Sequence, residues 1–349
     1  YDDEVGFETA RLLIEKARQG VSVAVTVDYD VALQPGHGGN VLAMLEQAAR
    51  EGLPIAVRRW KNLEQWGQGL HIKSLVVDHG RCAIIGGRNP GKFYYGQGDR
   101  PAWTDAEIEV CGPLAVDANA AFVRNWNQQQ DMHGDAHLKP IEDRGIEADT
   151  SGSAKSALVE HHPGGDDANI ATAMLMAIRA SKESFYLASA YMLAMPAVRE
   201  ELKAAARRGV DVQVLTNSAE SLDEKLLAIP ILEIVDELRQ AGVRTFLQKS
   251  TTDKNGHTKT MHAKMWVADG ELSSIQNYND HPRSEYYEEE LAAVTLDKTL
   301  GGQAQELFSS WTTPDRALEV KDSDDLSIPN DWFTHFKGGR AKGLLHRLT

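Results

Sequence analysis

The sequence predicts an α/β protein of two pseudo-symmetric lobes, each a mostly parallel mixed sheet flanked by helices. Three observations lead there. The stretch HIKSLVVDHGRCAIIGGRN, His71 to Asn89, returns about 190 residues later as HAKMWVADGELSSIQNYN, His262 to Asn279. A helix, a glycine stop and a strand around Gly20 return around Gly209, and a second such unit around Gly52 returns around Gly242. Repetition at one long offset, with helices and strands alternating, marks a tandem duplication of an α/β unit rather than an array of short repeats.

Taken in order, Val5, Phe7, Ala10, Leu12, Leu13, Ile14 and Ala17 recur at helical spacing, and Arg18-Gln19-Gly20 stops that helix. Val21 to Val27 follows as a strand, and Asp28 to Asn40, with QPGHGG, reads as a gate over a substrate site. LEQAAREGLPIAVRRW supplies the next helix and strand. His71 and Lys73 stand two apart, so on a strand they share a face while Ile72 points away. SLVV is expected as the buried remainder of that strand, closed by Asp78. Cys82 and Cys111 lie in apolar, strand-like surroundings and read as buried thiols.

Glu147 to Lys155, EADTSGSAK, is polar and small and suits a linker. The expected divisions are a first lobe over residues 1–150, a second over 151–320 and a tail over 321–349. The second lobe opens with a helix at Asn169 to Ala180 and a strand at Ser184 to Ala190, ending at Tyr191. Tyr1 aligns with Tyr191, so the first lobe has no counterpart of this pair. We expect the natural protein to extend upstream of Tyr1 by at least a helix and a strand, with a place there for a membrane anchor. Ser218 to Pro230 is the second gate. His262 and Lys264 repeat the shared face, MWVA the strand and Asp269 its close. Phe308 and Trp311 echo Phe122 and Trp126. In the tail, Trp332, Phe333 and Phe336 precede Lys337, Arg340, Lys342 and Arg347, a composition suited to an anionic lipid interface.

With 349 residues, 42% of them hydrophobic, the chain can bury two cores. A formal net charge of -14 disfavours sequence-independent binding to nucleic acid, which is driven by Lys and Arg replacing counterions. Aromatic residues at 7% are sparse for stacking bases. No apolar run reaches bilayer length and no signal peptide opens the chain. His37 is a loop histidine without a matching partner. His257-Thr258-Lys259 mimics the His-Lys spacing but lacks the Asp, with Lys264 in its place. His161 and His162 are adjacent, so they diverge on a strand, and no Cys or carboxylate completes a metal set. No metal or cofactor is expected.

A given His meets Lys at +2 and Asp at +7 in roughly one case in several hundred at ordinary usage, and here the pattern occurs twice. HxKxxxxD followed by GGxN resembles the signature of the phospholipase D superfamily. The second copy departs from it, with Gln276 and Asn277 where Gly-Ser would stand. Asn279 is in place, however, and Pro282-Arg283-Ser284 follows as in cardiolipin synthase-like members. Trp103-Thr104-Asp105 looks like the WxD after their first motif. The resemblance spans Val5 to about Trp311. It implies one active site at the pseudo-twofold interface, a phospholipid substrate, an alcohol or water acceptor, and membrane association that is peripheral or through a missing N-terminal segment. It implies that Asp105 supports His262 and Glu290 supports His71, with Glu288 and Glu289 as close competitors for the second role. Asp78 and Asp269 become structural anchors of strand ends, and His71 the nucleophile.

The residue types fit that chemistry. A phosphodiester is shielded by its charge and leaves a poor alkoxide, so cleavage needs charge neutralisation, a nucleophile and a placed acid. One neutral imidazole attacks phosphorus while the other, protonated, protonates the leaving oxygen. Lys73 and Lys264 hold the nonbridging oxygens together with Asn89 and Asn279, and a carboxylate on each remote ring nitrogen sets the tautomer. A nuclease or other phosphodiesterase of the superfamily is the first rival, disfavoured by charge. A non-catalytic lipid- or protein-binding module is the second, disfavoured because neither copy lacks its His, Lys or Asn.

Overall fold

The protein, seen in a computed structural model, is described over residues 1–62, 65, 67–97, 101–128, 138–163, 169–322, 324 and 326. The aromatic and basic tail residues from Trp332 to Arg347 lie outside the described residues. Asp3 caps α1 (Glu4–Arg18), its carboxylate accepting from the Gly6 amide at 3.0 Å, and Gly20 ends the segment at a φ of +91°. The first half continues with β1 (Val23–Asp28), α2 (Tyr29–Ala32), α3 (Gly39–Arg50), β2 (Ile55–Trp60), β3 (Gly69–Leu70), β4 (Ser74–Val77), β5 (Cys82–Gly86), α4 (Lys92–Tyr95), β6 (Glu107–Cys111) and α5 (Pro113–Asn127). After the Glu147–Lys155 stretch come β7 (Lys155–His161), α6 (Asn169–Ala180), β8 (Ser184–Ser189), α7 (Pro196–Arg207), β9 (Asp211–Asn217), α8 (Ala228–Gln240) and β10 (Arg244–Gln248). The last elements are β11 (Lys264–Ala268), β12 (Leu272–Gln276), α9 (Pro282–Tyr287), β13 (Glu288–Leu296), α10 (Lys298–Trp311) and β14 (Ala317–Glu319).

The second half builds one continuous sheet in the order β14-β10-β9-β8-β11-β12-β13, with β7 also on β13. Among the described strands, parallel pairing occurs in β8-β9-β10, β1-β2 and β13-β3, and an isolated parallel bridge joins Thr104 to Met261. The rest is antiparallel, a larger share than helix–strand alternation implies, because hairpins and not helices join the motif strands. One face of this sheet packs Met174, Ile178, Leu202, Val235 and Leu238 over Phe185, Val212 and Trp266. The other face carries Phe308 and Trp311 of α10 on Leu215, Phe246 and Met265.

In the first half, β1-β2 and β4-β5-β6 are separate sheets. Among the described residues no strand lies between β1 and β4, where β8 lies between β9 and β11. MWVA is therefore buried throughout, whereas SLVV, expected to be buried, leaves Leu75 53% and Val77 42% exposed. The halves are joined through β13, which pairs with β3 and places Ala293 in the small core under α5.

Two further details depart from the sequence reading. The β4–β5 turn, residues 78–81, is one residue longer than the β11–β12 turn, residues 269–271, which is why the repeat offset drops from 191 at the histidines to 190 at the asparagines. Cys82 and Cys111 are not buried thiols: they are register partners on β5 and β6 and form a disulfide, on side chains that reach solvent. The same position in the second half is the Leu272–Leu296 pair. Apolar neighbours suggested burial, but alternate residues of a half-covered strand face outward.

Candidate active site

Each motif histidine is delivered by its own half and hung from the other. Asp28, ending β1, accepts the Leu70 amide at 2.8 Å, and Asn217, ending β9, accepts the Met261 amide at 2.9 Å. The next residue in each case is the histidine. The His71 amide donates to the Glu289 carbonyl at 3.1 Å, and the His262 amide to the Thr104 carbonyl at 2.7 Å. The pairs Gly86–Glu107 and Gln276–Ala292 then put Asp105 and Glu290 at equivalent places, each two residues before the paired strand residue. The carboxylates cross over as a result.

His71 Nδ1 lies 2.9 and 3.0 Å from the two oxygens of Glu290, and His262 Nδ1 lies 2.9 Å from Asp105 Oδ2. Both carboxyls are buried. Of the competitors, Glu288 shares Glu290's face of β13 but stays 3.8 Å from His71, while Glu289 turns the other way, to His162 Nδ1 at 2.6 Å and Gln68 Nε2 at 2.8 Å. Ser284 explains the Pro-Arg-Ser run: its hydroxyl donates to Glu290 at 2.7 Å and lies 3.0 Å from Glu288, and the Arg283 Nε donates to Glu288 at 2.7 Å. On the His262 side the Ala106 amide holds Asp105 Oδ1 at 2.8 Å. A Cβ on Gly87 would fall 2.2 Å from that oxygen, so the second glycine of GGxN makes room for the carboxylate.

The lysine ammonium groups fold back on their motifs, Lys73 Nζ donating to the His71 carbonyl and Lys264 Nζ to the His262 carbonyl, both at 2.6 Å. Lys264 is also 3.1 Å from both ring nitrogens of His262. Asn89 donates to the Tyr94 hydroxyl at 3.0 Å, and Asn279 is buried with its Oδ1 unpaired. Asn277, in a position the motif gives to a small residue, reaches across to the Lys73 carbonyl at 3.2 Å and to the Gly86 carbonyl. The Tyr94 and Trp103 rings pack on His262 at 5.1 and 5.7 Å. Asp269 accepts the Lys182, Glu183 and Ser184 amides at 2.8–3.0 Å, tying the turn to the start of β8. No such bonds form at Asp78 among the described residues.

Burial, reinforced by the Lys73 charge, holds the His71 imidazole well below its ordinary pKa. Burial and Lys264 lower His262 as well, with Asp105 opposing. Burial lowers Lys73, brings Lys264 down to about 8 and raises Glu290. His71, Glu288 and Glu290 offer ligand atoms within 4.8 Å of one another, but Ser284 and Arg283 already occupy the two carboxyls. His37 sits apart, bound to the Pro35 carbonyl and packed on Tyr1. His161 is buried against Tyr278, and His257 is held by Asp253 in its own turn.

Sequence reasoning did not find Asn277, Tyr94, Asp28 or Asn217. A signal existed for the last two, since both end the strand after the repeated glycine stop.

A family model described as "Cardiolipin synthase, PLD-like domain" matches residues 174–311. Cardiolipin synthase A of Pseudomonas entomophila (strain L48) is 28% identical over 330 residues, covering 93% of this chain and 64% of the relative. That of Pseudomonas putida (strain GB-1) is 26% identical over 338 residues, with the same shares. The chain thus spans just under two thirds of the length of these relatives. The structure of phosphatidylserine synthase from Haemophilus influenzae Rd KW20 superposes with a TM-score of 0.65 at 12% identity, covering 98% of this chain and 91% of that one. Polyphosphate kinase from Porphyromonas gingivalis shares the fold at a TM-score of 0.54 and 14% identity, over 96% of this chain and 47% of its own. The twin His-Lys motifs closed on each other's carboxylates thus stand in a chain that is similar to cardiolipin synthase A along nearly its whole length, and its residues 174–311 match the phospholipase D-like domain of the cardiolipin synthase family.

Proposed function

We propose that the chain is a phosphatidyltransferase, passing a phosphatidyl group from one phospholipid to a glycerol-type alcohol, or to water, through a covalent phosphohistidine. The observation that carries this is the pair of imidazoles whose Nδ1 atoms are clamped by buried carboxylates, leaving both Nε2 atoms to one site with the buried Lys264 and the half-buried Lys73. Neutral His71 attacks phosphorus through Nε2. The P–O bond to the leaving alcohol breaks, and His262 gives its proton to that oxygen. The acceptor then loses its proton to His262 as its oxygen bonds phosphorus and the P–N bond to His71 breaks. Lys73 and Lys264, with Asn89 and Asn279 after a small side-chain turn, hold the nonbridging oxygens. The lowered pKa of His71 suits a nucleophile that must be neutral, and the Asp105 carboxylate, which opposes the lowering at His262, suits an imidazolium there.

Residues 1–150 and 151–320 serve as the two lobes of this one site. No described helix is long and apolar enough to cross a membrane. Val31, Leu33 and Leu226 are exposed on the two segments that follow β1 and β9, and they suit peripheral contact with a lipid surface. Purified protein incubated with mixed phospholipids, with and without glycerol, is expected to yield glycerol-dependent transfer products by mass spectrometry. Cleavage of oligonucleotides with no lipid turnover would replace this reading with a nuclease.

A further inference from the structure

We propose that Asp223, with the Tyr191 hydroxyl, forms a subsite that reads a second hydroxyl of the acceptor, so that polyols of the glycerol type are taken over monohydric alcohols and water. This rests on the transferase reading above.

The loop bearing Asp223 is fastened to the segment that carries His262. Asn217 donates to the Ala190 carbonyl at 2.9 Å and the Met261 carbonyl at 2.7 Å, and it accepts from the Ser221 hydroxyl at 2.8 Å. Thr260, two residues before His262, donates to the Ser221 carbonyl at 2.8 Å. Asp223 follows two residues later. From the other side comes Tyr191, two residues beyond Ser189, which is the register partner of Lys264. The Tyr191 hydroxyl reaches both oxygens of Asp223, at 3.0 and 2.9 Å. The Asp223 charge is felt at His262, at Lys264 and at the Tyr1 hydroxyl of the first half, in keeping with the bonds that tie its loop to the His262 segment and to Tyr191. Unlike Asp105 and Glu290, Asp223 is exposed.

An ionised carboxylate has about four acceptor positions, and one phenolic hydrogen leaves room for hydroxyl donors from a ligand. A polyol supplies them. Its reacting hydroxyl gives its proton to His262 Nε2 as the new O–P bond forms and the P–N bond to His71 breaks, while a neighbouring hydroxyl donates to Asp223 and fixes the attack angle. The pseudo-symmetric rim differs: there Asp30 is paired with Lys61 at 3.0 Å, and Leu33 is 64% exposed. One apolar side and one carboxylate side suit a lipid acceptor whose headgroup carries hydroxyls.

The test is the partition of the phosphatidyl group among glycerol, ethanol and water, for the protein as it stands and for Asp223→Asn, Asp223→Ala and Tyr191→Phe. Loss of a charge-assisted contact to a substrate hydroxyl is expected to cut the glycerol-to-water product ratio at least about tenfold in both Asp223 variants, less in Tyr191→Phe. The ethanol-to-water ratio should stay within about twofold, because ethanol has no second hydroxyl to lose. A parallel fall for glycerol and ethanol would make Asp223 merely structural and overturn the proposal. So would a preference for ethanolamine over glycerol that Asp223→Asn abolishes, since the site would then read a cation. Product formed with an unchanged glycerol preference defeats this inference alone; no product from any diester defeats the transferase reading and this inference with it.

Discussion

β11 lies between β8 and β12 and is buried along its whole length, while its counterpart β4 has, among the described residues, only β5 beside it and turns Leu75 and Val77 to solvent. Asp269 gathers three amides from the start of β8, and Asp78 makes no such bonds among the described residues. Where the second half packs Leu272 against Leu296, the first has a disulfide. Yet the two histidines are held alike, each by an amide bond and a carboxylate from the opposite half. The lesson is that the site geometry is fixed at strand ends facing the interface, by bonds that cross it, and tolerates large differences in how each sheet is completed behind it.

The largest effects should therefore come from the crossing bonds. Glu290→Gln and Asp105→Asn keep the shape but lose the charge that orients each ring, and activity is expected to fall about 10²- to 10⁴-fold in each, by analogy with the carboxylate of a catalytic triad. If the two halves are equivalent in chemistry as well as geometry, both variants lose the same on every substrate. With His71 attacking, Asp105→Asn loses less on a nitrophenyl diester, whose leaving group needs no acid.

The pH profile sharpens the comparison next. Lys264, brought to about 8, must be charged to hold phosphate, so on a nitrophenyl diester, whose leaving group needs no proton from His262, kcat/KM should fall as pH rises through about 8, roughly tenfold per unit at the steepest. His71 must be neutral and its pKa lies well below the usual 6.5, so the acid limb should appear only under pH 6.5. A profile flat to pH 10 would show that the Lys264 ammonium is not titrating there.

Smaller effects concern stability. Cys82→Ser with Cys111→Ser opens a loop closed over 29 residues of separation and is expected to cost about 2–4 kcal/mol of unfolding free energy by denaturant titration, with turnover retained. Asp269→Ala strands three amides and should cost roughly 1–3 kcal/mol, against about 0.5 kcal/mol or less for Asp78→Ala. Equal losses at the two aspartates would show that the first half anchors its turn as firmly as the second.

Much of this was legible in the chain. The His-Lys spacing gave the shared face, the offsets gave the halves, and the family resemblance pointed to Asp105 and Glu290. Three consecutive glutamates could not be separated by sequence alone; strand alternation and Ser284 choose between them. The disulfide was missed because the apolar runs CAIIG and EVC suggest burial, whereas cysteine pairing depends on register across two strands. Asn277 was legible only as a departure from the motif, since its use is a contact to Gly86, 191 residues away.

The central claim is that the crossed, near-symmetric pair works asymmetrically, with His71 as nucleophile. It is tested most directly by mapping the phosphoryl adduct in denatured, alkali-stabilised protein by mass spectrometry, using His71→Ala and His262→Ala with a nitrophenyl diester. His262→Ala is expected to carry the adduct on His71, trapped because the second step lacks its base, and His71→Ala to carry none. An adduct on His262 in His71→Ala, with none in His262→Ala, would contradict the assignment.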